Sequence, residues 1–167
     1  KTMRSFIDIS YGDEEMQKLD IYLPDADNFS TFVYFHGGGL TGGTYKGFGN
    51  VAEWLAKQNI ATASVEYSLF PNAKYPDFIE DAANSVRWLK DNISTYGKCN
   101  RIFVGGSSAG GYLSMMLCFD KKYLAPYELS PMDIDGFVHD AGQPTAHFNV
   151  LRERGIDSRR VIVDESA

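Results

Sequence analysis

The stretch Val104-Gly105-Gly106-Ser107-Ser108-Ala109-Gly110-Gly111 constrains this chain more than any other. It follows an apolar strand pattern, Arg101-Ile102-Phe103-Val104, and opens an apolar helix pattern at Ala109. Gly106-x-Ser108-x-Gly110 fits the pattern G-x-S-x-G in one register only, because centring it on Ser107 would put Ala109 where the second glycine belongs. A strand that passes so abruptly into a helix must bend sharply. The flanking glycines are needed where a side chain would strike the neighbouring strand or helix. The serine between them is then held on a strained turn above the sheet, where a base and a substrate carbonyl can both reach its hydroxyl. Taken alone, the pattern also suits a plain tight connection rich in small residues.

The rest of the chain alternates strands and helices. Ser5 to Ile9 and Leu19 to Leu23 each alternate apolar and polar residues, as half-buried strands do, with a turn at Gly12-Asp13 between them; they suit an antiparallel hairpin at one sheet edge. Asp25 to Ser30 reads as a polar loop, and Thr31 to Phe35 as a strand buried on both faces of a parallel sheet. Val51, Trp54, Leu55 and Gln58 mark a helix face with Asn50 as its N-cap. Ile60 to Val65 is another buried strand. Pro76 opens a helix whose Phe78, Ala82, Val86, Leu89 and Ile93 recur at core spacing, with Gly97 as its stop. After Ser108 comes a helix ending near Asp120, a loop from Pro126 to Pro131, and a strand from Ile134 to Val138 that runs into His139-Asp140. Pro144 opens a further helix with Phe148 and Leu151, and Val161-Ile162-Val163 is a last short apolar run. No repeat or linker divides the 167 residues, which suit one domain. This order predicts an α/β fold, a mostly parallel doubly wound sheet with helices on both faces, whose ligands bind at the carboxyl ends of the strands.

A second glycine motif falls at such an end. Thr31 to Phe35 runs straight into His36-Gly37-Gly38-Gly39. Three consecutive glycines weaken any regular element and suit a place where bare backbone must approach something closely. Neither G-x-G-x-x-G nor a G-K-[ST] ending is present, so a phosphate loop fits poorly. An oxyanion hole fits better, since the amides of this loop and of Ala109 could converge on one oxygen. A flexible turn is the plain alternative.

Composition removes several classes of function. A net charge of −6 argues against nucleic acid, which needs a basic surface, and leaves no polybasic patch for anionic lipid. No apolar run approaches the roughly 20 residues of a membrane span. Cys99 and Cys118 suit two unpaired thiols, and three histidines without spaced partners give no metal signature. The chain begins at Lys1 without a recognisable signal peptide, which leaves a cytoplasmic protein or, if a leader was removed, a periplasmic or secreted one. Oligomeric state is not legible. Asn28-Phe29-Ser30 and Asn92-Ile93-Ser94 match the glycosylation pattern, which is too common to weigh without a known compartment.

His36-Gly37-Gly38-Gly39 followed by Gly106-x-Ser108-Ala109-Gly110, in that order, resembles the α/β-hydrolase fold and, more narrowly, the hormone-sensitive-lipase-like carboxylesterases, including bacterial esterases of acetylated or feruloylated plant sugars. Glu66 to Pro71, then Tyr75-Pro76 and the long helix, is similar to the same family between its two motifs. The resemblance implies Ser108 as nucleophile, with Gly38, Gly39 and Ala109 as oxyanion-hole donors. It implies His36 as a structural brace of the glycine loop, a small ester as substrate, and no metal or organic cofactor. A non-catalytic binding protein on the same scaffold, and an acyltransferase, are the alternatives. Tyr34, Tyr67, Tyr75 and Tyr112 could touch a sugar or aryl group, but core packing suits them better.

One departure stands out. This fold orders its triad as serine, acid, histidine, with the histidine far downstream. Asp140 and Asp164 have positions suited to an acid. His147 falls in a predicted helix seven residues past Asp140, poorly placed to reach Ser108, and His139 suits a local pair with Asp140. None is assigned a catalytic role. The chain is expected to be an N-terminal portion of a single hydrolase domain, with acid and base on residues that follow it.

Overall fold

The computed structural model describes residues 3–140. Six strands among them form one sheet in the order β1-β2-β4-β3-β5-β6. These are β1 (Met3–Ser10), β2 (Lys18–Pro24), β3 (Asn28–Phe35), β4 (Ile60–Val65), β5 (Lys98–Ser107) and β6 (Gly136–Asp140). β3 to β6 run parallel, β2 is antiparallel to β4, and β1 is antiparallel to β2. The expected mostly parallel α/β architecture with an antiparallel edge hairpin is therefore present. Three helices flank it: α1 (Gly49–Ala56), α2 (Asp77–Asn92) and α3 (Ala109–Phe119).

The two faces of the sheet are closed differently. On one, α2 and α3 cover a continuous core in which Ile21, Val33, Phe35, Ala63, Val65 and Val104 meet Phe78, Val86, Leu89 and Leu113. The α2 residues at core spacing are buried as expected. On the other, α1 lies over β2 and β4 and buries only Ala52 and Ala56. The expected face of Val51, Trp54 and Leu55 is wrong, for Val51 and Trp54 are exposed. Alanines face the sheet because a helix that sits this close leaves no room for large side chains. Asn50 is not the N-cap either, since the helix starts after Phe48 with no side-chain cap, directly from a 3-10 turn, Tyr45–Phe48.

Three other expectations shift. β1 and β2 are not both half-buried: β1 is exposed along most of its length, whereas β2, interior between β1 and β4, is buried almost throughout. Asn28 to Ser30 belongs to β3 rather than to a loop. Within β3 burial alternates, with Phe32 and Tyr34 half-buried, because α1 does not reach the middle of their face. Both cysteines are free. No helix among the described residues is long and apolar enough to cross a membrane. The elements expected after Pro144, with His147 and Asp164, lie outside the described residues.

Candidate active site

β3 and β5 are adjacent and parallel, with Phe35 opposite Gly106, so the two glycine motifs emerge side by side at the carboxyl end of the parallel strands. The elbow is sterically enforced. A Cβ on Gly110 would stand 1.8 Å from the Phe35 carbonyl oxygen, and one on Gly106 would stand 2.4 Å from the Gly110 backbone. Any side chain at either position would force strand and helix apart. Between them Ser108 takes φ 53°, ψ −113°, a backbone conformation that costs a non-glycine residue about 1–3 kcal/mol. The bend is secured by backbone. The Ser108 amide donates to the Asp140 carbonyl at the end of β6 (2.7 Å), and the Ser108 carbonyl accepts from Tyr112 (3.0 Å). Ser108 is exposed, and among the described residues nothing hydrogen-bonds its hydroxyl.

The glycine loop turns back on itself. Thr41 and Gly42 both donate their amides to the Gly38 carbonyl, at 3.2 and 3.1 Å. Gly38 and Gly39 have φ of 129° and 64°, and a Cβ on Gly38 would lie 2.2 Å from the Gly42 carbonyl oxygen. Gly37 packs against the elbow, its would-be Cβ 3.4 Å from that of Ser108. Among the described residues no acceptor takes the amide of Gly38, Gly39 or Ala109. That of Ala109 is one of the unsatisfied donors at the start of α3, where the helix end also favours negative charge.

His36 is held from several sides beneath this loop. Its Nε2 is 2.6 Å from the buried Glu66 carboxylate, and its Nδ1 donates to the Gly37 carbonyl at 2.7 Å. Its ring stacks on Tyr67 at 4.6 Å, and the Tyr67 hydroxyl donates to the His36 carbonyl. Glu66 in turn accepts from the Tyr67 amide, while its own carbonyl accepts from the Tyr11 hydroxyl. Both ring nitrogens are thus engaged, and His36 is buried. Burial, with Glu66 nearby, pushes the Tyr67 phenol well above the ordinary tyrosine range.

His139 and Asp140 do not pair with each other, contrary to expectation. Neighbours along a strand point to opposite faces. His139 Nδ1 lies 2.6 Å from Ser114 Oγ on the α3 side, whereas Asp140 accepts from Ser107 Oγ at 3.2 Å on the other. Because Ser114 Oγ already donates to the Gly111 carbonyl, the proton between it and the imidazole belongs to Nδ1. Partial burial holds the His139 pKa below the usual histidine value. Tyr67 and Tyr112 are core residues; Tyr34 is stacked on Phe48, and the Tyr75 and Tyr123 hydroxyls meet at 2.9 Å. Two surface clefts, one lined by Tyr11, Gln17, Asn84 and Arg87 and one by Lys90, Lys98, Arg101 and Asp135, include no residue of the loop or elbow. Among the described residues no group of histidine, cysteine and carboxylate side chains could hold a metal ion.

Sequence reasoning missed two partners. Glu66 sits 30 residues from His36, and the local signal for it is a charge directly after a buried strand. The alternation of Leu19 to Leu23 puts Asp20 on a polar face, yet it is fully buried.

The chain is similar to several known proteins. Probable isoprenylcysteine alpha-carbonyl methylesterase ICMEL2 of Arabidopsis thaliana is 34% identical over 116 residues, which is 68% of this chain and 28% of that protein. Carboxylesterase NlhH of Mycobacterium tuberculosis is 37% identical over 101 residues, 58% of this chain and 32% of that one. Esterase B from Lactobacillus rhamnosis superposes with a TM-score of 0.67 at 24% identity, covering 81% of this chain and 45% of its own. A truncated carbohydrate esterase from gut microbiota gives 0.65 at 23% identity, covering 72% and 45%. At such identities these two structures establish the shared α/β-hydrolase fold. The matched stretch spans about a quarter to a third of the curated relatives' length. The BD-FAE profile covers residues 19–147, from the second residue of β2 past the end of β6 and so across both glycine turns, and on that match the chain belongs to the BD-FAE family.

Proposed function

We propose that the protein is a serine carboxylic-ester hydrolase in which Ser108 is the nucleophile and the amides of Gly38, Gly39 and Ala109 form the oxyanion hole. The observation that carries this is the exposed, strained Ser108, packed against Gly37 of a loop whose Gly38 and Gly39 amides, like that of Ala109, no described residue accepts. Ser108 Oγ attacks the ester carbonyl carbon and gives its proton to a histidine base. The carbonyl oxygen becomes an oxyanion between the loop and the start of α3. Preorganised donors there lower the barrier, each by about 3 kcal/mol. Collapse of the intermediate expels the alcohol, which takes the proton back, and leaves Ser108 acylated; water then releases the acid by the same steps. The base is not His36, whose two nitrogens are both engaged, nor His139, which is bonded to Ser114. It lies beyond the described residues.

Relatives and neighbours named as methylesterases, carboxylesterases and carbohydrate esterases share the ester carbonyl and little else, which supports the reaction class. An acetylated or feruloylated carbohydrate is one substrate class that fits. The test is hydrolysis of p-nitrophenyl acetate by the full-length protein. Ser108→Ala should lower kcat by about 10⁴-fold or more, since a triad member acts as part of a unit. Turnover that survives the substitution would sink the assignment. Adding an alcohol acceptor and finding the acyl group passed to it in preference to water would point to a transferase instead.

A further inference from the structure

The glycine loop leaves β3 at His36 and ends in the 3-10 turn Tyr45–Phe48. Its entrance is fixed by the His36–Glu66 pair. Its exit is fixed by something else. Lys46 Nζ lies 2.6 Å from Asp8 Oδ1 and 2.9 and 3.0 Å from the two carboxylate oxygens of Asp20. The Asp20 side chain is fully buried and also accepts the Asp8 amide at 2.8 Å, at a bulge where Asp8 has φ 55°. Tyr45 adds two ties, its hydroxyl donating to Asp8 and its carbonyl accepting from Ser64 Oγ at 2.6 Å. Phe48 completes the set by stacking on Tyr34 at 3.9 Å. Four strands therefore grip one short turn that begins two residues after Gly43.

Exposed ion pairs hold little, and the Asp8 half of this one is open to water. The Asp20 half differs, because a fully buried carboxylate needs a partner. Burial opposes the charge on Lys46, yet the hydrogen bonds from its ammonium to Asp8 and Asp20 raise its pKa above the ordinary lysine range. Lys46 is thus bound from the outside to a fully buried side chain of the sheet.

We infer that Lys46 is a positioning residue: by tying the exit of the glycine loop to buried Asp20, it holds the Gly38 and Gly39 amides where the oxyanion forms. This rests on the esterase reading above for its catalytic consequence, though not for the tether itself. Small displacements of such donors are expensive, because their worth depends on being aimed in advance.

The test uses the full-length protein. Lys46→Met alone would leave Asp20 buried and unpaired and could prevent folding, so it is paired with Asp20→Asn in a double variant that leaves no buried orphan charge, Asp8 being open to water. Lys46→Arg, which keeps a cation able to bridge both carboxylates, serves as rescue. In the double variant, amide hydrogen exchange over residues 37–43 should quicken about tenfold while β5 and α3 keep their protection, the signature of local rather than global opening. With p-nitrophenyl acetate, kcat should fall about tenfold or more with KM within about threefold, as loss of a transition-state interaction requires. Lys46→Arg should lie within about threefold of the unaltered protein in both measurements. Unchanged exchange over 37–43, equal acceleration everywhere, or a change confined to KM would overturn the proposal. If the unaltered protein hydrolyses no ester, the esterase reading fails, and the exchange measurement still decides whether Lys46 holds the loop.

Discussion

The two turns that meet at the carboxyl end of the sheet are held in shape by different physics. The elbow around Ser108 is shaped by exclusion. Strand β5, helix α3 and the end of β3 come so close that only glycine fits at 106 and 110, and backbone hydrogen bonds do the rest. The loop from Gly37 to Gly43 is shaped by attachment. Its own glycines and backbone bonds make the bends in its middle, but its two ends are gripped by side chains from β1, β2, β4 and the segment after β4. A turn made by sterics is written in its own residues. A turn made by tethers is written in residues far along the chain.

The sharpest way to break this contrast is Gly110→Ala. Its Cβ would meet the backbone of β3 at 1.8 Å, and neither element can yield without opening the core between them. A loss of about 4 kcal/mol or more is expected, at the upper end for a single substitution, read as a fall in the urea midpoint. A midpoint within error of the unaltered protein would show that the elbow is not sterically enforced. Next in size is Glu66→Ala, which strands His36 in a buried site. Removing one partner of such a pair costs about 3–5 kcal/mol. Ester turnover should fall as well, since the loop entrance loses its brace, whereas a stable variant with unaltered turnover would reduce the pair to packing.

The smallest effect sharpens the elbow side. Burial holds His139 neutral to lower pH than it would be in the unfolded chain. The unfolded state therefore binds the proton first. The stability owed to the neutral ring is present above the ordinary histidine value of 6.5 and is lost as pH falls below it. Urea midpoints at about pH 7.5 and about pH 5 should show a shallow decline that His139→Gln abolishes, the rest of the acid sensitivity being carried by carboxylates. Equal slopes in the two proteins would remove His139 from the account.

Much of the fold could be read from local pattern. Continuous apolar runs marked β4 and the core of β3, helical spacing marked α2, and the serine motif marked the passage from β5 to α3. The misreadings share one cause. Val51 and Trp54 looked like a buried helix face, but α1 lies close enough to the sheet to admit only Ala52 and Ala56. Leu19-Asp20-Ile21 looked half-buried, but β2 is interior and Asp20 is enclosed with a lysine from 26 residues away. His139 and Asp140 looked like a pair, but the strand sends them to opposite faces and each finds a serine instead.

The sequence by itself determined where the chain bends and which residues can bend there, because φ and Cβ clashes are settled within a few residues. It also determined the alternation of elements that makes a parallel sheet, since hydrophobic period is a local property. Only the tertiary structure decided which polar side chains are buried and what satisfies them. Glu66 reaches His36 across 30 residues, and Asp20 reaches Lys46 across 26. A charge survives burial only beside a partner, and no stretch of sequence shows which distant residue the fold will bring there.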